Sequence, residues 1–222
     1  MPRSSAKAVI WDMDGVIADT ASYHFKAWRT VFQKRGVDFT EAEFRPHFGQ
    51  RNDTIIKSAL GDRISRDEIK VVAAEKEGTF RKLAGQNIKP LPGAIKLIRS
   101  LRERGFKIAI SSSAPVENIR LVIHGLGIDD CFHGIVSGHE VTEGKPSPQG
   151  FLLAARKLGV EPENCVVVED AIAGVAACKS AGSYCLAVTN TNPRESLQDA
   201  DLVVDSLEAV TVDDLEKLIN PD

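Results

Sequence analysis

The chain has 222 residues, enough for one large domain or for a core carrying a smaller insert. Hydrophobic residues make up 43% and charged residues 27%, and the formal net charge is −3, a globular balance without the basic excess that nucleic-acid binding needs. No apolar run approaches the roughly 20 residues that span a bilayer, so neither nucleic acid nor membrane is expected as a partner. The amino terminus, Met1 to Lys7, has no separate apolar segment and no small-residue cleavage site, and does not read as a signal peptide. Residues 8–11, Ala-Val-Ile-Trp, are too short and too rich in β-formers for a helix, and read as a buried strand ending in Asp12-Met13-Asp14-Gly15. Between residues 17 and 88 no strand pattern occurs. Helical patterns cover 23–35, 52–60 and 65–83, with a polar, loop-like stretch at 62–68. This region reads as a helical insert, residues 18–89, entered through 18–20 and left through the proline-bearing 89–93.

From about residue 90 strands and helices alternate. A helix over 93–104 stops at Gly105, and a strand over 107–112 ends in hydroxyls. Then come a helix at 118–126, a short strand at 134–137, a helix at 148–158 and an apolar strand at 165–168 ending in Glu169-Asp170. A helix at 171–181 and strands near 183–188 and 202–204 complete the pattern. Strands separated by helices imply an α/β fold with a doubly wound parallel sheet, built from residues 1–17 and 90–222. Four cysteines show no Cys-x-x-Cys spacing; Cys165 and Cys178 read as buried free thiols, which fits a reducing cytosol.

Chemistry concentrates where these strands end. Two carboxylates, Asp12 and Asp14, would enter one crevice, and like charges that close need a cation or a shared proton. The second strand end offers Ser112 and Ser113, the segment after the third offers Lys145-Pro146, and the fourth ends in Glu169-Asp170. In a parallel sheet these carboxyl ends share one edge. Mg2+ takes one or two carboxylates together with phosphate oxygens, while Ser112, backbone N–H groups and Lys145 suit the phosphate itself. An ordinary acidic turn is the plain alternative for Asp12-x-Asp14-Gly15 taken alone.

All four segments in this order resemble the haloacid dehalogenase superfamily of phosphotransferases, over essentially the whole chain. The resemblance implies Asp12 as nucleophile, Asp14 as general acid and base, and Mg2+ held by Asp12, the Asp14 backbone carbonyl and Asp170, with Glu169 directly on the ion or just behind it. It makes the insert a small helical cap, and its residues are similar to the β-phosphoglucomutase-like branch. Thr20, His24 and Trp28 lie in the stretch 20–28 that resembles the first cap segment of that branch. Arg51, after Gly49, falls where those enzymes carry a phosphate-binding Arg, and Lys76 where a cap Lys pairs with the histidine matching His24. The plain alternatives are an amphipathic helix position for His24, a solvated charged face for Lys76 among Glu75 and Glu77, and cap packing for Trp28.

One departure bears on the reaction. The mutases place Ser and Lys soon after the phosphate-binding Ser to hold a second phosphate, whereas this chain reads Ser112-Ser113-Ala114-Pro115-Val116. Hydrolysis of a small sugar phosphate or related metabolite is therefore expected ahead of β-phosphoglucomutase chemistry. A phospho-Asp signalling module, similar to a response-regulator receiver, ranks lowest. Such modules are much smaller and carry no insert after the first strand. With no apolar heptad and no evident exposed strand, a monomer is the expectation.

Overall fold

A computed structural model describes residues 6–85 and 87–220, so the reading of the amino terminus falls mostly outside the described residues. The first apolar run forms strand β1 (Ala8–Trp11), buried at every position. The chain then makes four helices, α1 (Ala21–Gln33), α2 (Glu41–Phe44), α3 (Asn52–Leu60) and α4 (Arg66–Ala84). Beyond them run α5 (Ala94–Glu103), β2 (Lys107–Ser111), α6 (Val116–Gly125), β3 (Gly134–Val136), α7 (Gln149–Leu158), β4 (Cys165–Glu169), α8 (Ile172–Ala181), β5 (Tyr184–Val188), β6 (Leu202–Val204) and α9 (Val212–Ile219).

Among the described residues the strands form one parallel sheet in the order β3-β2-β1-β4-β5-β6. Side chains alternate between its faces. Val9, Trp11, Ile108, Ile110 and Val168 join the cluster under α5, α6 and α9, while Ala8, Ile10, Ala109 and Val167 join the one under α7 and α8. Burial on both faces explains why these strands read as continuous apolar runs. Strand order reverses between β1 and β4, and a crevice opens at the carboxyl ends at such a point. Asp12 N–H donates to the Val168 carbonyl at 3.0 Å, which sets Asp12 beside Glu169.

The helices of the insert pack around Trp28, Phe32, Ile56 and Val72, while Ala27 and Phe80 join the sheet's own cluster and dock the insert onto it. The outgoing and returning connections lie side by side: Asp19 N–H donates to Lys89 O at 3.0 Å and Leu91 N–H to Ile17 O at 2.9 Å. The helix expected over 65–83 is α4, and it begins inside the polar stretch 62–68: Ser65 caps it, accepting from Glu68 N–H while the Glu68 carboxylate accepts from Ser65 N–H. The same device at Thr211 and Asp214 starts α9, whose apolar Val212, Leu215 and Ile219 face the core; this helix was not expected from the pattern. All four cysteines are buried free thiols. No helix among the described residues is long and apolar enough to cross a membrane.

Candidate active site

The two aspartates after β1 diverge, and each meets a different environment. Asp12 turns toward β4: Lys145 Nζ lies 2.5 Å from Asp12 Oδ1 and also binds Glu169. One carboxylate oxygen from each of Asp12, Glu169 and Asp170 lies within 4.8 Å of the other two, and all three residues are buried. Burial raises the Asp12 carboxyl, Lys145 draws it back and Glu169 raises it again, leaving it at about 7. Burial, Glu169 and Asp12 likewise push Asp170 well above the usual carboxylate range. Burial alone would lower Lys145, but Asp12 and Glu169 hold its ammonium above its ordinary value. One lysine against three clustered carboxylates leaves negative charge uncompensated, so the donor set fits a hard divalent cation.

Asp14 turns the other way, toward the insert. Its Oδ1 accepts from the Thr20 hydroxyl at 2.6 Å and lies 3.1 Å from His24 Nε2. Lys76 Nζ sits 2.9 Å from His24 Nδ1, and an ammonium can only donate. Nδ1 therefore accepts, and Nε2 carries the hydrogen that Asp14 receives. Burial would raise Asp14, but His24, the bonds from His24 and Thr20, and the more distant Lys76 outweigh it and hold the carboxyl below its usual value. The Asp14 carboxylate is thus no part of the acidic cluster, which consists of Asp12, Glu169 and Asp170; only its backbone carbonyl remains for the metal role that the resemblance implies.

Both aspartates nevertheless line one cavity between insert and sheet, with His24, Trp28, Lys76, Ser112 and Ser113 among the other walls. Trp28 stacks on Phe32, and Lys76 lies 5.0 Å from its ring. Thr20, expected to touch a substrate, is fully buried and serves to hold Asp14. Arg51 does not face this cavity. Its Nη1 donates to the carbonyls of Gly138 at 3.2 Å and Val141 at 2.9 Å, tying the insert to the core. Ser112 Oγ accepts from Ala114 N–H at 3.1 Å, which shapes the loop after β2.

Two glycines beside the acidic cluster are required by close approach. Gly15 has φ +88°, and a Cβ there would lie 2.1 Å from Asp170 Oδ2. A Cβ on Gly174 would lie 2.0 Å from the Glu169 carboxyl carbon.

Several contributors escaped the sequence reading. Glu77 is buried against Lys76 at 2.9 Å, Asn52 at 2.8 Å and Asn118 at 2.5 Å. Thr191 donates to Asp170 Oδ2, and the Asn192 amide to the Asp170 carbonyl at 2.9 Å. The run Thr189-Asn190-Thr191-Asn192, polar and directly after a strand, is the signal that would have found them.

Comparison with known proteins places the chain in a family. The family model described as haloacid dehalogenase-like hydrolase matches residues 6–182. The chain belongs to that family. Within the haloacid dehalogenase-like hydrolases it is 34% identical to β-phosphoglucomutase of Bacillus subtilis (strain 168), covering 93% of this chain and 92% of that protein. It is also 34% identical to hexitol phosphatase A of Escherichia coli (strain K12), covering 93% and 94%. A solved β-phosphoglucomutase from Clostridium difficile superposes with a TM-score of 0.88 at 32% identity, over 97% of each chain. This haloacid dehalogenase-like hydrolase is accordingly an enzyme, a phosphatase or a phosphomutase.

Proposed function

We propose that the chain is a Mg2+-dependent phosphohydrolase acting on small sugar phosphates or related phosphometabolites, with residues 18–89 as its cap. The observation that carries this reading is the pair of aspartates in one cavity, Asp12 bound to Lys145 and Asp14 held by Thr20 and His24. Two carboxylates in contrasting environments suit two roles. Asp12 attacks phosphorus and the ester bond breaks; Asp14, which takes up a proton as the anionic phosphate binds beside it, gives that proton to the leaving oxygen and becomes a carboxylate. Asp14 then takes a proton from water, whose oxygen attacks phosphorus and releases Asp12 and inorganic phosphate. Lys145 and Ser112 would bind the phosphoryl oxygens as their charge redistributes. Mg2+ held by Asp12 and Asp170, with Glu169 beside them, would neutralise the acidic cluster and offset phosphate charge. The docked cap excludes bulk water and strengthens every one of these interactions.

A second reading, β-phosphoglucomutase, is favoured by the likeness to the Bacillus subtilis and Clostridium difficile proteins. It shares the first half-reaction and differs in the acceptor. A mutase must hold two phosphates, and Ala114-Pro115 supply no polar side chain for the second. Purified protein with Mg2+ should release inorganic phosphate from several hexose or pentose phosphates. Conversion of β-glucose 1-phosphate to glucose 6-phosphate faster than phosphate appears would reverse the choice.

A further inference from the structure

Beyond the reacting end, the cavity has a second wall, contributed by the insert. Lys76 is its one cationic side chain among the described residues, and that charge is already matched. Its Nζ lies 2.9 Å from Glu77 Oε1, and both residues are at most 5% exposed. Glu77 is in turn fixed by the amides of Asn52 and Asn118, so the pair cannot separate without leaving a buried carboxylate short of partners. Burial would raise Glu77, but Lys76, His24 and Asn52 outweigh it and keep it ionised. Trp28, Phe48 and Ile55 supply apolar surface to the same wall, and Gln50 supplies a neutral amide. Arg81, one turn beyond Lys76, does not line this wall and donates to Asn118 Oδ1 at 2.9 Å. Arg51, beside Gln50 and Asn52, lines a neighbouring pocket and spends its Nη1 on two core carbonyls and its Nε on Asp53 at 3.1 Å.

A second phosphate placed against this wall would lose its hydration and meet no net positive charge. A hydroxylated carbon skeleton would instead find apolar faces and amides. Building on the hydrolase reading, we propose that Glu77 is a specificity-determining residue that neutralises Lys76. The enzyme thereby selects monophosphates of uncharged sugars or polyols over the corresponding bisphosphates. Glu77 acts through Lys76 and takes no part in the chemistry of phosphorus.

The test compares matched pairs, glucose 6-phosphate with glucose 1,6-bisphosphate and fructose 6-phosphate with fructose 1,6-bisphosphate, under saturating Mg2+. In any pair that turns over, kcat/KM should favour the monophosphate by about tenfold or more, mainly through KM. An equal or higher value for the bisphosphate overturns the proposal while leaving hydrolysis intact. Absence of phosphate release from every phosphoester overturns the hydrolase reading and this proposal with it. Glu77→Gln, shown to be folded by its melting curve, should move the ratio about tenfold toward the bisphosphate, again through KM. Glu77→Asp should restore the wild-type ratio. An unchanged ratio in folded Glu77→Gln refutes the role. Should Glu77→Gln not fold, Lys76→Gln leaves Glu77 unmatched and must sharpen rejection of the bisphosphate; no sharpening refutes the role equally.

Discussion

Asp12 and Asp14 are separated by a single residue yet sit on opposite sides of an electrostatic divide. Asp12 belongs to a crowded acidic cluster and is pushed up to about 7, whereas Asp14 is held below its usual value by His24 and Thr20. Removing the Asp12 charge should therefore separate catalysis from stability. In Asp12→Asn, turnover should fall by about 10⁴-fold or more, because an amide cannot serve as the nucleophile. Without added metal, the same variant should melt no lower than wild type, since one repelling carboxylate has gone from the cluster. Retained turnover would remove Asp12 from its role, and a large loss of melting temperature would mean that its pairing with Lys145 outweighs the repulsion. At this scale the sequence exposes the groups that lie on strand ends, because the sheet's parallel order brings them to one edge. Glu77 and Asn118 were hidden for the opposite reason. Each sits on a helix with no local mark of function, and only the docking of α4 against α6 brings them together.

At the level of elements, that docking is carried by few polar contacts. Asn118, fully buried on α6, donates to Glu77 Oε2 at 2.5 Å and accepts from Arg81 Nη1 at 2.9 Å, both on α4. Asn118→Ala removes both bonds and leaves the Glu77 carboxylate one partner short. Hydrogen bonds to charged groups contribute about 1.5–3 kcal/mol each, so unfolding in urea should show a loss of at least about 2 kcal/mol. Faster cleavage by protease within the insert should accompany it if the loss loosens the insert from the sheet. A variant as stable and as resistant as wild type would show that the apolar contacts of Phe80 and Ala27 suffice for docking. The strands were legible to within a residue or two because buried parallel strands write themselves as unbroken apolar runs, as Cys165–Glu169 does. Helix starts were less even. The start at Ser65 was legible in spite of the polar stretch around it, whereas the box at Thr211 and Asp214 precedes a helix of 8 residues, short enough to pass unnoticed.

For the molecule as a whole, the acidic cluster links folding, pH and metal. A carboxyl raised in the folded state binds protons there that the unfolded chain has already lost, so stability falls as pH rises between the two values. For Asp12 that window runs from the ordinary 3.8 up to about 7, and Asp170 shifts in the same direction. Metal-free protein should consequently melt lower at pH 7 than at pH 5. A cation bound among Asp12, Glu169 and Asp170 favours the ionised carboxylates and must displace those protons, so it binds better at the higher pH. At about 100 times its dissociation constant, a ligand specific to the folded state adds about 2.7 kcal/mol. In a chain of this size that corresponds to a rise of roughly 5–10 °C in melting temperature. Melting curves in chelator and in saturating Mg2+ at both pH values give the comparison. Mg2+ should raise Tm at pH 7, raise it less at pH 5, and so flatten the pH dependence seen in chelator. Equal shifts at the two pH values would place the ion away from these carboxylates, and no shift at either would argue against a metal site in the crevice between β1 and β4.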